Sequence, residues 1–162
     1  MDDTNQQLID LPWLDIAKGE IGVHEISGPE ASNARIDAYN ASVHVKGDDS
    51  ENAWCSAFVN FCMECAGIEG TDRPNARSWL HWGVPLMRPR AGCVVIFTRP
   101  EAGPANGHVG FWISEVASIG QTMVLGGNEH NSVRVAPYST ARVLGWRWPT
   151  GFRESESPPS AS

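Results

Sequence analysis

Two short segments hold reactive side chains in settings that suit nucleophilic catalysis. Trp54-Cys55-Ser56-Ala57-Phe58-Val59-Asn60 sets a thiol directly before an apolar, helix-forming run, and Gly107-His108-Val109-Gly110-Phe111 sets an imidazole at the start of an alternating strand pattern. A thiol attacks a carbonyl as thiolate, and a helix N-terminus beside an imidazolium pulls its pKa from about 8.5 toward about 3.5–7.5. The unpaired N–H groups of the same helix start could hold the oxyanion that follows. The expected chemistry is acyl transfer, with Cys55 as nucleophile and His108 as base. Taken singly, a buried structural cysteine and a surface or core histidine are the plainer readings. Taken together, the two favour catalysis.

Strand register points to a third group. A hairpin turning around Ser118 sets Ser114 against Thr122, Gly110 against Gly126 and His108 against Asn128. Asn128 then lies beside the imidazole on the same face and can fix its tautomer, the orienting role of a Cys-His-Asn triad. A slip of one residue presents Glu129 instead. A turn-forming Asn after Gly126-Gly127 is the structural alternative. Gly107 and Gly110 leave room around the ring for a substrate.

The elements around these residues read as helices followed by strands. Asp10 caps a helix that holds Pro12, Leu11, Leu14 and Ala17 and stops at Gly19. Asn33–Tyr39 is a short helix, Cys55–Ala66 the strongest one, and Asn75–Trp82 another short piece. The segment Val43–Asn52 is polar and turn-rich, and Pro85–Gly92 is a connector. Period-two patterning then gives strands at Cys93–Thr98, His108–Val116, Gln121–Gly126, Val133–Ala136 and Val143–Trp148. This is an α+β layout, helices packed on an antiparallel sheet of about five strands. One domain over residues 8–150 is expected, with a Ser/Pro/Glu-rich disordered tail at 151–162.

Composition narrows the function classes. Acidic residues outnumber Lys and Arg by 19 to 12, a formal charge of -7, which disfavours nucleic acid and anionic lipid as partners. No apolar run approaches membrane-spanning length. Met1-Asp2-Asp3-Thr4-Asn5-Gln6-Gln7 has neither a basic nor an apolar signal region, so synthesis in the cytoplasm is expected. The four cysteines are then expected as free thiols, and Cys62-x-x-Cys65 as two packed side chains rather than half of a zinc site. His24, His44 and His81 read as surface or loop histidines and His130 as a subsite residue. No metal and no organic cofactor is needed. Seven tryptophans are many for 162 residues, and a surplus often lines a groove. Trp54, Trp79 and Trp82, with Asn33, Ser56, Gly107 and Glu129, are weaker candidates for substrate contact. For the tryptophans, core packing is the competing reading.

The Trp54–Asn60, Gly107–Phe111 and Val124-Leu125-Gly126-Gly127-Asn128 segments together resemble the papain-like NlpC and CHAP cysteine hydrolases of bacterial cell walls. The similarity is strongest to a small single-domain branch found in prophages and among interbacterial toxins. Gly22-Val23-His24-Glu25, Asn33-Ala34-Arg35-Ile36, Ala76-Arg77-Ser78-Trp79-Leu80 and Leu144-Gly145-Trp146-Arg147-Trp148-Pro149 agree in order, so the resemblance covers residues 12–149. It implies a papain-like fold and cleavage of amide bonds in peptidoglycan stem peptides, with Cys55, His108 and Asn128 in the three roles. One departure is Gly92-Cys93, where such proteins often have Gly-Asp. A monomer is expected, acting in the periplasm or wall after delivery by a secretion system or a holin. The acidic balance tilts toward a toxin, whose partner would be an immunity protein plugging the cleft. A papain-like module that grips wall peptides or a partner without cutting is the alternative.

Overall fold

The computed structural model describes residues 11–26, 33–43 and 54–153. The expected Asp10 cap, His44, the polar stretch after Val43 and the tail beyond Arg153 lie outside these residues. Three helices come first: α1 (Pro12–Gly19), α2 (Ala34–Ala41) and α3 (Cys55–Cys65). A 3-10 helix at Ala76–His81 leads to β1 (Val84–Leu86), β2 (Val94–Thr98), β3 (Gly107–Val116), β4 (Gln121–Glu129), β5 (Ser132–Ser139) and β6 (Val143–Trp148). The strands form one antiparallel sheet in the order β1-β6-β2-β3-β4-β5. The α+β reading holds, with six strands rather than about five.

The added strand is β1, which falls where a connector was expected. Val84-Pro85-Leu86 is too short to alternate visibly, and Pro85 argues against a central strand. At the sheet edge, paired with β6 alone, a residue without an N–H is tolerated. Asn75–Trp82, expected as helix, tightens to the 3-10 helix Ala76–His81.

β2 is central, and its Val94-Val95-Ile96-Phe97 run is buried on both faces. Val94 and Ile96 join Val109, Phe111 and Leu125 in the main core under α3, where the rings of Phe58 and Phe111 meet edge to face at 6.4 Å. Val95, Phe97 and Val124 form a second cluster on the other face, flanked by Trp112, Tyr138 and Trp146. Burial of each side chain of this size contributes about 1.5–3 kcal/mol. The two layers therefore clamp β2 and β3, the strands beside the candidate histidine. α1 closes the core from below, with Trp13 fully buried and its Nε1 donating to the Gly92 carbonyl at 2.8 Å.

The hairpin β3–β4 turns through Ala117–Ile119, with Phe111 opposite Leu125 and Trp112 opposite Val124. That is the expected register at its centre. Outward, a bulge after Trp112 moves Ser114 onto Met123 instead of Thr122. Inward, pairing between β3 and β4 stops at Phe111, while β3 continues against β2 with His108 opposite Phe97. The N-terminal turn of α3 packs at this opening: a Cβ on Gly127 would lie 2.7 Å from the Trp54 ring and 2.8 Å from Phe58 Cβ. Glycine is required there by proximity to the helix.

Candidate active site

Cys55 is the first residue of α3, and Trp54 before it makes no side-chain cap to the helix. The Trp54 side chain thus leaves the first-turn N–H groups uncapped. Trp54 is held in place by donating from Nε1 to Glu25 Oε1 at 2.6 Å and by its ring lying 5.8 Å from that of Tyr39. The backbone N–H groups of Val109 and Ser56 lie close enough to the Cys55 sulfur to favour its charged form. The sulfur therefore lies near the His108–Val109 peptide, although Cys55 and His108 are far apart in the chain.

The electrostatics differ from the sequence expectation. Burial pushes the Cys55 thiol up, and this outweighs the backbone N–H groups and the positive charge of Arg99, which pull it down. With Cys55 only 1% exposed, the resting group is a protonated thiol and not a preformed thiolate. The surroundings are nonetheless not hydrocarbon alone, since two N–H donors and the charges of Arg99 and Glu129 act on the sulfur.

His108 is equally enclosed. Its ring stacks on Tyr138 with centroids 4.7 Å apart and planes 13° from parallel. Its Nε2 lies 3.0 Å from Glu129 Oε1, but the contact is not aligned as a hydrogen bond. Burial pushes the imidazole down to about 3, with Arg99 adding to the effect. Burial pushes the Glu129 carboxyl up to about 7, against the opposing pull of Arg134 and Arg99. Both shifts have one cause, the cost of charge away from water, so the resting imidazole is neutral. A neutral imidazole is the form a general base requires.

Glu129, and not Asn128, meets the ring. Pairing between β4 and β5 shifts register between Gly126 and Glu129, and Asn128 sits in that irregularity with φ 58°. Gly126 faces the imidazole, since a Cβ on it would lie 3.2 Å from His108 Nε2, while Gly127 faces α3. In an unbroken strand the next residue toward the imidazole would be Asn128. The bulge inserts one residue and hands that direction to Glu129. The register argument fails at this point because it assumed continuous pairing to His108.

The weaker candidates divide. Trp79 is fully buried and Trp54 nearly so, and both are packing residues in this structure. Ser56 is fully buried, donating to the Arg73 carbonyl at 2.7 Å and accepting from Trp79 Nε1 at 2.9 Å. Asn33 caps α2, its side chain accepting from the Arg35 N–H at 2.8 Å. Gly107 is buried against the Phe97 carbonyl and the Arg77 side chain. Trp82 is half-buried and borders an open cavity. His130 is exposed in the turn between β4 and β5.

Sequence reasoning missed Arg99 and Tyr138. Arg99 follows β2, one position past the Thr98–Gly107 pair, and its charge acts on Cys55, His108 and Glu129 together. Only the β2–β3 register could have revealed it. Tyr138 reaches His108 from β5, across β4, and no local pattern marks it.

No curated protein matches the chain. A family model for the CHAP domain matches residues 47–128, from before Cys55 through His108 to the residue preceding Glu129. Since that match spans half of the 162 residues, the chain belongs to the CHAP domain family.

Proposed function

We propose that this protein is a thiol-dependent hydrolase that cleaves amide bonds of peptidoglycan stem peptides, as an amidase or endopeptidase. CHAP membership supports a peptidoglycan hydrolase of amidase or peptidase type in general. The observation that supports the reading further is that the Val109 N–H acts on the Cys55 sulfur while His108, the residue before it, has Nε2 3.0 Å from Glu129 Oε1.

In this reading Glu129 faces Nε2 of the ring, and Nδ1 takes the thiol proton. Because the resting pair is neutral, proton transfer accompanies attack instead of preceding it. The sulfur bonds to the substrate carbonyl carbon, and N–H groups at the start of α3 steady the oxyanion. His108 returns the proton to the departing amine as the C–N bond breaks. Water, deprotonated by His108, then cleaves the thioester and restores the thiol. The acidic balance supports the finer reading of a delivered antibacterial toxin over a phage lysin, with an immunity protein covering the face over Cys55 as its partner.

Mass spectrometry of purified sacculi after digestion tests the function and identifies the bond. New fragments with free amines at one stem-peptide position are expected. Sacculi left unchanged under reducing conditions across a range of pH would remove the wall-hydrolase reading.

A further inference from the structure

Beside the candidate active site lies an open cavity of about 490 Å³ with a marked charge bias. Arg73, Arg77 and His81 line it, with hydroxyls from Thr71 and Ser78 and the indole of Trp82. Among the described residues no acidic one lines it, although Glu69 and Asp72 belong to the same loop and the whole chain is acidic by 19 to 12. A basic concavity on an acidic protein favours an anion locally over the general surface.

The cavity is tied to both reacting residues. The Arg73 carbonyl accepts from Ser56, the residue after Cys55. The Arg77 side chain packs on Gly107, the residue before His108, and its Nε donates to the Asn106 carbonyl at 2.9 Å. That bond fixes the stem of Arg77 at the cavity wall. Trp82 is also fixed, with Nε1 donating to the Glu69 carbonyl at 2.8 Å and its ring edge-on to Trp79 at 4.8 Å. A pinned indole offers a flat apolar surface, and guanidinium groups match a carboxylate in two-point geometry.

We propose that this cavity binds a free carboxylate of the stem peptide next to the scissile amide, clamped by Arg73 and Arg77, with the neighbouring aliphatic part of the ligand on Trp82. The proposal rests on the hydrolase reading and makes the enzyme selective for acidic over amidated stems.

The test uses two synthetic muropeptides that differ only in that carboxylate, one free and one converted to the amide. Wild type is expected to favour the free acid by about tenfold or more in kcat/KM, the worth of a charge-assisted contact. Arg77→Gln should collapse that ratio toward unity, and Arg77→Lys should restore part of it. Wild type that treats both substrates alike, or a preference that survives both Arg73→Gln and Arg77→Gln, overturns the proposal. If neither peptide is cleaved, the hydrolase reading fails separately. Calorimetry of Cys55→Ala with the same two peptides then decides the cavity's role: acid-selective binding lost in the added Arg77→Gln change upholds it, and equal binding of both peptides rejects it.

Discussion

Glu129 Oε1 lies 3.0 Å from His108 Nε2, in a position that an unbroken β4 would have given to Asn128. In the proposed mechanism the orienting group is therefore an ionisable one. Glu129→Ala is expected to lower kcat/KM by about a hundredfold or more, the range of general acid–base effects. Asn128→Gly keeps the left-handed backbone at φ 58° and removes only the side chain, so it should cost less than about tenfold. Steady-state kinetics on a stem peptide decides between them. The reverse order of effects would return the orienting role to Asn128.

The buried pair also makes stability depend on pH in a defined direction. Glu129 has its pKa raised from 4.5 to about 7, so its contribution is fully present below 4.5 and is lost as pH rises through about 7. His108 has its pKa lowered from 6.5 to about 3, so its contribution is present above 6.5 and is lost as pH falls toward 3. Glu129→Gln removes the first dependence and leaves the second. The melting temperature of the variant relative to wild type is expected to rise between pH 5 and pH 8. A constant difference, or one of opposite slope, would show that Glu129 is not held uncharged by burial.

Helix α3 and the strands around His108 are legible in the chain because one short pattern marks each of them. Cys55–Cys65 has an apolar run and a glycine stop, and β3 alternates from its first residue. What was not legible arises where strands depart from ideal pairing. The bulge at Asn128 exchanges one candidate for its neighbour, and no local residue pattern encodes which way a Gly-Gly-Asn segment will bend. Arg99 and Tyr138 reach the site through pairings with β3 and β4, so their proximity exists only once the sheet is assembled. The thiol's raised pKa was hidden for the same reason, since burial is a property of the packed core and helix-end electrostatics are visible in the chain.

Gly127 tests how tightly α3 presses on the opening between β3 and β4. A methyl group there would fall 2.7–2.8 Å from Trp54 and Phe58 Cβ, too close for either to ignore. Gly127→Ala is expected to cost about 1–3 kcal/mol by overpacking and to displace the start of α3. Thermal unfolding measures the first effect and the loss of activity the second. An unchanged melting temperature would mean that the helix is free to shift.

Ser56 separates packing from substrate contact. It is fully enclosed, and its removal strands the buried Nε1 of Trp79. Ser56→Ala is expected to destabilise the fold by about 1–3 kcal/mol, with KM for a stem peptide held near the wild-type value. A raised KM with unaltered stability would restore Ser56 to the substrate groove.

The central claim is that the Cys55 sulfur, near the His108–Val109 peptide, is the atom that attacks. Its most direct test is kcat/KM of wild type and Cys55→Ala on one defined stem peptide, with the fold of the variant verified by circular dichroism. The account predicts a loss of at least about a thousandfold with the fold intact. A folded Cys55→Ala protein that retains activity within about tenfold of wild type would contradict it.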